Sequence, residues 1–184
     1  MFQDILARLA GILKKADIPY IVIGGQAVLL YGEPRLTADI DITVGLGIDE
    51  LSRLLTAAEE SGLVPLVSDI EAFTKETMVV PLKDKTTDIR IDFVLSFTTY
   101  EAAAIKRARE VKIGGMEVNF ASPEDVVIHK IFAGRPRDIE DLRGILLKQK
   151  DIDVGYIETS LKEFDLTFPD KRFSKTFKDL ISEL

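Results

Sequence analysis

The sequence predicts an α/β (α+β) protein in which helices pack on a mixed β-sheet and a helical part follows at the C-terminal end. Three observations lead to this expectation. Residues 21–23 are a β-branched apolar run that suits a buried strand. Residues 88–95 alternate apolar and charged side chains with period two, as half-buried strands do. From Ser122 onward, helix-start signals and apolar residues at helical spacing replace the strand patterns.

The elements of the first half follow in order from apolar periodicity and from turn residues. An apolar stripe predicts an N-terminal helix over 2–16, and Pro19 then precedes the first strand. A second helix, over 48–61, has Asp49 near its start and Gly62 at its end. The other elements predicted in this half are a helix over 26–31 and strands over 39–44, 77–82 and 88–95, the last two joined by the polar turn 83–85.

The second half is predicted to begin with a hairpin and then to become helical. A Gly-Gly turn joins short strands over 111–113 and 117–120. Ser122 and Pro123 suit the cap and the first position of the helix that follows. Because no linker rich in serine or proline interrupts the chain, a single domain over 1–184 is expected. The further helices are predicted over 137–147, 156–164 and 173–184.

Composition limits the classes of function that the chain can have. Its 184 residues, 46% of them hydrophobic, are enough to bury a sizeable core. The absence of cysteine excludes disulfides, thiolate catalysis and zinc–thiolate sites. The formal charge of −7 argues against a broad nucleic-acid-binding face. No stretch approaches the ~20 apolar residues of a membrane span and no charged leader opens the chain, so a cytoplasmic protein is expected.

Two short motifs near the first strand could together hold a nucleotide and a metal ion. Gly24 and Gly25 allow the backbone to turn sharply, and the N–H groups of the helix that follows could receive a phosphate. Asp39 and Asp41 are two residues apart on a strand, so both carboxylates point to one face. Adjacent carboxylates repel each other unless a cation neutralises them, and oxygen ligands suit Mg²⁺ or Mn²⁺. Each motif alone is also common as an ordinary turn or an exposed strand edge.

A third carboxylate, that of Asp92, could complete the metal site. It lies at the most apolar end of its strand, which favours a position in the sheet beside Asp39 and Asp41. The alternative is structural, because Asp88 and Asp92 could both pair with Arg90 on the same face of the strand.

Arg35 precedes the first carboxylate by four residues and has two candidate roles. Its guanidinium could make paired hydrogen bonds to a phosphate. It could equally form a salt bridge to Asp39 or Glu33.

The single histidine, His129, is expected to pack or cap rather than to bind a metal. Residues 134–137 could form a basic loop that closes over a nucleotide, or a plain turn with two surface arginines.

Taken together, these residues resemble the nucleotidyltransferase superfamily of the DNA polymerase beta type. Within that superfamily the chain looks most like the minimal bacterial and archaeal nucleotidyltransferases, including the toxin components of abortive-infection systems. Two departures stand out. The family turn is often Gly-Ser, so a hydroxyl donor is missing here, and related toxins are usually longer. The residues that carry the first part of the resemblance are Gly24, Gly25, Arg35, Thr37, Asp39, Ile40, Asp41 and Asp92.

The second part of the resemblance is a later helical element with a lysine and an Arg-Asp pair. This chain matches it with Lys130 and with Arg137-Asp138, followed by Asp141. The resemblance makes about 18–147 the core of a nucleotidyltransferase-like domain. Residues from about 150 to 184 would then be a C-terminal helical extension.

The resemblance implies an enzyme that transfers a nucleoside monophosphate from a nucleoside triphosphate to a hydroxyl and releases pyrophosphate, with Mg²⁺ or Mn²⁺ as cofactor. The implied nucleotide-binding residues are Gly24, Gly25, Arg35, Thr37 and Lys130. The implied catalytic residues and metal ligands are Asp39, Asp41 and Asp92. Asp138 or Asp141 would orient Lys130 or act as a base.

Three interpretations of function stay open at the level of sequence. The first is the nucleotidyltransferase just described, whose acceptor could be a small molecule, a protein side chain or a tRNA end. The second is a catalytically silent nucleotide-binding protein or toxin–antitoxin partner that retains the fold, with a cognate antitoxin or a second copy of the chain as its protein partner. The third is an interaction module in which the aspartate pair is incidental surface charge.

Overall fold

The computed structural model describes residues 1–96 and 98–184. The strands are β1 (Tyr20–Ile23), β2 (Asp39–Val44), β3 (Leu63–Pro65), β4 (Val79–Asp84), β5 (Arg90–Leu95), β6 (Arg109–Ile113) and β7 (Met116–Phe120). The helices are α1 (Phe2–Lys15), α2 (Gly24–Tyr31), α3 (Leu51–Glu60), α4 (Ile70–Thr77), α5 (Thr99–Lys106), α6 (Pro123–Ala133), α7 (Pro136–Lys148), α8 (Val154–Thr167) and α9 (Phe173–Ser182). No helix of the described residues is both long enough and apolar enough to span a membrane.

The chain forms two compact units. The first comprises Met1–Gly25 and Thr37–Ala121, and it contains the whole sheet together with α1, α3, α4 and α5. The second comprises Gln26–Leu36 and Ser122–Leu184, and it contains most of α2 and the helices from α6 onward. The expected boundary between a core and a C-terminal extension near residue 150 stays a prediction.

The sheet of the first unit is mixed, as the sequence predicts. Its strand order is β3-β4-β5-β2-β1-β7-β6. At the centre, β2 pairs antiparallel with β1 and parallel with β5, and β1 pairs parallel with β7. The two predicted hairpins, β4–β5 and β6–β7, are antiparallel. Helix α1 packs against β6 and β7, and α5 packs against β1 and β2.

Alternation along β2 explains how the sheet both buries a core and carries a polar face. Ile40 and Ile42 are fully buried, whereas Asp39 and Asp41 between them are half-buried. Because successive side chains point to opposite faces of a strand, the isoleucines enter the core while both carboxylates emerge on the other face. Apolar burial thus fixes the orientation of the acidic pair.

The segment between α3 and β4 differs from the expectation. The predicted strand over 77–82 is wrong at its start, because α4 extends through Thr77 and Met78 adopts a left-handed conformation before β4 begins. The Asp69 side chain caps α4 by accepting a hydrogen bond from the backbone N–H of Ala72. The prediction follows the strand-like pattern of the later residues and does not use this cap. Strand β3 also escapes prediction, because it is only three residues long, lies at the sheet edge and contains Pro65.

Helices of the second unit pack around α6. This helix contacts α7, α8 and α9, and α8 in turn packs against α9. The Ser122 side chain caps its start by accepting from the backbone N–H of Asp125, and Gly134 ends it with a φ of +61°. The prediction of Ser122 as the cap is confirmed.

Candidate active site

Strand register places two of the predicted carboxylates side by side on neighbouring strands. Asp41 on β2 lies directly opposite Asp92 on β5, and Asp39 lies opposite Arg90. In a parallel pair, residues in register point to the same side of the sheet, so Asp39, Asp41, Asp92 and Arg90 lie on one face. This face is called the acidic face below. Asp39 and Asp41 lie on this face as the sequence predicts, and β5 adds Asp92 beside Asp41.

The glycine turn touches this acidic face directly. Ile23, the last residue of β1, pairs with Asp41, and Gly24 follows it with a φ of +61°. A Cβ atom built on Gly24 would lie 1.9 Å from Oδ2 of Asp41, well inside van der Waals contact. Only glycine therefore fits between the end of β1 and this carboxylate, both for its backbone angle and for its lack of a side chain. Helix α2 begins at the same residue.

Thr37 contacts the first carboxylate. Its hydroxyl donates to the backbone oxygen of Asp39 at 3.2 Å and lies 3.3 Å from Oδ1 of the same residue. Thr37 thus restrains both the backbone and the side chain of Asp39, the first residue of β2. The predicted phosphate-binding role of Thr37 stays a prediction beside this observed contact.

Arg90 binds Asp92 on this face. Its Nε atom donates to both carboxylate oxygens of Asp92, at 2.8 and 2.9 Å. This hydrogen bond, together with the charges of Asp92, Asp39 and Asp41, raises the pKa of Arg90 against the opposing effect of burial. Asp88 does not share the pair, because it lies in the preceding turn and binds Lys83 at 2.6 Å.

The acidic face carries the type of ligand atom that a hard divalent cation prefers. All three side chains offer carboxylate oxygens, which Mg²⁺ and Mn²⁺ prefer, and the bare Gly24 backbone leaves room for one of those carboxylates at the turn. Within the described residues, however, no three His, Cys, Asp or Glu side chains are already gathered closely enough to hold an ion. Asp92 is instead paired with Arg90, a cation of the protein itself.

A second group of predicted site residues forms a buried charge cluster in the second unit. Nζ of Lys130 lies 2.7 Å from Oδ1 of Asp138 and 2.8 Å from Oδ2 of Asp141. All three side chains are almost fully buried. Nε of Arg35 lies 2.9 Å from Oδ1 of Asp141, a partner other than Asp39 and Glu33, the two residues expected for a salt bridge.

Arg135, predicted only as part of the segment 134–137, completes this cluster through a contact with Asp138 that the sequence does not predict. Its Nε atom donates to Oδ2 of Asp138 at 2.7 Å, and its backbone N–H donates to the same oxygen. Burial works to raise the pKa of Asp138, but the hydrogen bonds from Arg135 and Lys130 outweigh it and hold that pKa below its ordinary value. The signal that could have found Arg135 is the spacing of a capping box, with Pro136 at the first helical position and an acid two residues later.

The segment 134–137 is held by specific contacts in the second unit. Arg135 binds Asp138, and Nη2 of Arg137 donates to the backbone oxygen of Leu36 at 3.0 Å. Nη1 of Arg35 also donates to this oxygen, at 3.3 Å. Arg137 of the segment and Arg35 therefore both bind the backbone of Leu36, whereas Arg135 binds Asp138. A role of the segment in closing over a nucleotide stays a prediction.

Loss of the central cation is expected to destabilise the chain strongly. Lys130→Met should lower the free energy of unfolding by about 3–5 kcal/mol, because it leaves two buried carboxylates without their shared partner. Urea unfolding followed by circular dichroism measures the change. A matched control is Lys162→Met, since Lys162 is 61% exposed and 3.9 Å from Glu158, so the same substitution there should cost less than about 1 kcal/mol. Equal losses in the two variants would contradict this expectation.

Nearly the whole chain is similar to one known protein family. A family profile described as "Nucleotidyltransferase of unknown function (DUF6036)" matches residues 1–182. The chain belongs to this family. It is therefore a member of the nucleotidyltransferase superfamily, which the resemblance of its motifs implies. No curated protein matches this DUF6036 nucleotidyltransferase significantly.

Solved structures of other nucleotidyltransferases share the fold of this DUF6036 member. The antibiotic-resistance factor ANT(2'')-Ia in solution gives a TM-score of 0.62 at 15% identity, over 91% of this chain and 93% of that one. Its crystal structure in complex with adenylyl-2''-tobramycin gives 0.61 at 16% identity, over 90% and 98% of the two chains. An antigenic nucleotidyltransferase-like protein from Paracoccidioides brasiliensis gives 0.55 at 19% identity, over 91% and 88%. At such identities the similarity shows the fold alone.

Proposed function

We propose that this chain is a metal-dependent nucleotidyltransferase that transfers a nucleoside monophosphate from a nucleoside triphosphate to a hydroxyl acceptor. The observation that carries the proposal is the position of Asp41, held between the bare Gly24 backbone on one side and Asp92 on the other. In a protein with the nucleotidyltransferase fold, a tight glycine turn beside a carboxylate that neighbours a second carboxylate supports a site for phosphate and a cation.

In this proposal, residues of the first unit bind the metal ion and the phosphates of the nucleotide. Asp39, Asp41 and Asp92 hold Mg²⁺ or Mn²⁺, and Thr37 restrains Asp39 by its hydroxyl contact. The backbone N–H groups at Gly24 and Gly25, at the start of α2, receive phosphate oxygens of the nucleotide. When bound, the ion supplies positive charge against the triphosphate and lowers the pKa of the acceptor hydroxyl.

In the proposed reaction, the acceptor oxygen forms a bond to the α-phosphorus of the nucleotide. The bond from that phosphorus to the bridging oxygen of the β-phosphate breaks, and pyrophosphate leaves with the electron pair. Asp92 activates the acceptor hydroxyl by accepting its proton on a carboxylate oxygen. Asp39 and Asp41 repel the phosphates by themselves, so their part would be to hold the cation that offsets this charge.

We propose a nucleotide-binding role for Lys130 and Arg35, oriented by the two aspartates that they contact. Asp138 is engaged on both oxygens by Lys130 and Arg135, and its pKa is lowered. Because a carboxylate with a lowered pKa is a poor proton acceptor near neutral pH, these contacts favour the orienting role of Asp138 over a role as base. The contact between Asp141 and Lys130 supports the same role for Asp141.

The acceptor that we propose first is a small molecule with a hydroxyl group. ANT(2'')-Ia has been solved with adenylyl-2''-tobramycin, and the similarity spans 98% of that chain, so a protein of this fold and comparable extent holds a nucleotidylated small molecule. A protein side chain and a tRNA end are the other acceptors to be tested. A cognate antitoxin or a second copy of the chain would be the protein partner if the activity serves as a toxin.

Nucleotide binding and turnover by the purified chain test the proposal. Labelled ATP, GTP, CTP and UTP are each supplied with Mg²⁺ or Mn²⁺ and with a panel of aminoglycosides, protein extract or tRNA as acceptor. Metal-dependent binding and pyrophosphate release are expected from the wild type and should be lost in the Asp39→Ala/Asp41→Ala variant. Binding without turnover for any acceptor would favour a catalytically silent nucleotide-binding protein, and no binding at all would overturn the proposal.

A further inference from the structure

Arg90 occupies a position on the acidic face that the proposed reaction does not use. It lies opposite Asp39 in the register of β2 and β5, two residues before Asp92 on the same face of β5. Its Nε atom donates to both oxygens of Asp92, so each of the two metal-binding atoms of that side chain already carries a hydrogen bond. A divalent ion that binds Asp92 must compete with this guanidinium.

Charge on this face makes the competition substantial. Three carboxylates, those of Asp39, Asp41 and Asp92, face one guanidinium across the two central strands. Arg90 thus acts as the counter-ion that the protein supplies for itself. Its positive charge repels a divalent cation approaching the same oxygens.

Arg90 can leave Asp92 without disturbing the sheet. The Arg90 side chain is 54% exposed, whereas that of Asp92 is only 16% exposed. Strand β5 is held on both sides, by β2 and by β4, so the backbone of the two residues stays fixed when the guanidinium turns away. A long side chain on a fixed backbone exchanges rotamers rapidly, so its release needs no change of fold.

We propose that Arg90 is a positioning residue that holds Asp92 in place of a metal ion and must be displaced for the ion to bind. This inference rests on the proposed function, because it concerns the same three carboxylates. Arg90 offsets part of the negative charge on the acidic face and keeps Asp92 oriented when the cation is absent. In doing so it weakens binding of the free divalent ion.

The test is Mn²⁺ binding to the full chain without nucleotide, measured from the electron paramagnetic resonance signal of the free ion. Arg90→Gln should tighten Mn²⁺ binding by about tenfold, the effect of removing one positive charge roughly 6 Å from a divalent ion in a water-like medium. The matched control is Lys83→Gln, because Lys83 lies beside Arg90 in the register of β4 and β5 but pairs with Asp88. It removes the same charge one strand away and should change the affinity less than about twofold.

The variants separate this inference from the proposed function. Equal affinities in Arg90→Gln and Lys83→Gln would overturn the role of Arg90, as would failure of either protein to bind Mn²⁺ at all. If Asp41→Asn weakens Mn²⁺ binding while Arg90→Gln has no effect, the metal site stands and only the role of Arg90 fails. If Asp41→Asn leaves binding unchanged, the metal site of the proposed function fails. In an Asp92→Asn background the effect of Arg90→Gln should shrink, because the hydrogen-bonded pair is already broken.

Discussion

Replacing Asp41 with asparagine is expected to lower nucleotidyl transfer by about a thousandfold or more, several kcal/mol of transition-state stabilisation. Asp41 lies at the centre of the acidic face, between the turn at Gly24 and the opposing Asp92. Asparagine has nearly the same shape, so the sheet should be retained while the charge that attracts the cation is lost. Pyrophosphate release at saturating nucleotide measures the change.

The matched control for this charge is Asp88→Asn. Asp88 belongs to the turn just before β5, is 77% exposed on its side chain and binds Lys83. Its φ is +56°, a conformation that asparagine tolerates well, so the substitution removes one carboxylate without straining the turn. Activity of Asp88→Asn should stay within about twofold of the wild type, since its ion pair is on the surface. Comparable losses in the two variants would mean that general surface charge, and not the position of Asp41, supports the activity.

Replacing Gly24 with alanine is expected to give the second largest loss, about a hundredfold in transfer, since displacement of a catalytic group by about 1 Å has that effect. The new Cβ would lie 1.9 Å from Oδ2 of Asp41, so this carboxylate must move. The positive φ at Gly24 adds a backbone penalty of about 1–2 kcal/mol in the free energy of unfolding. Urea unfolding and pyrophosphate release on the same preparations measure the two effects.

Gly114→Ala separates backbone strain from displacement of the carboxylate. Gly114 has nearly the same φ, +57°, and a Cβ there would meet only Ala7 at 3.4 Å, an ordinary contact. This variant should lose similar stability but retain its activity. If both alanine variants lose stability and both retain activity, the contact between Gly24 and Asp41 has no functional importance.

Local pattern is sufficient to predict the elements that carry the acidic face. Strands β1, β2 and β5 are visible as β-branched or alternating runs, because burial of one face imposes a period of two on the sequence itself. The same alternation is enough to predict that Asp39 and Asp41 share one face of their strand. The start of α6 is equally visible, since Ser122 and Pro123 act through their own local preferences.

Short or atypical elements cannot be predicted in this way. Strand β3 has three residues and includes Pro65, and its existence depends on pairing with β4. Helix α4 has eight residues and lies against β4, so its stability comes from packing that no local window contains. In both cases tertiary contacts outweigh a weak local signal.

By itself, the sequence determined which side chains share a strand face, where the glycine turn falls and to which superfamily the motifs point. Only the tertiary structure decided which of the candidate charge pairs form and added a pair that no pattern suggested. It paired Arg35 with Asp141, far along the chain, and set Asp92 opposite Asp41. The physical reason is that periodicity arises between neighbours in sequence, whereas strand register and ion pairs are chosen by packing across the whole unit.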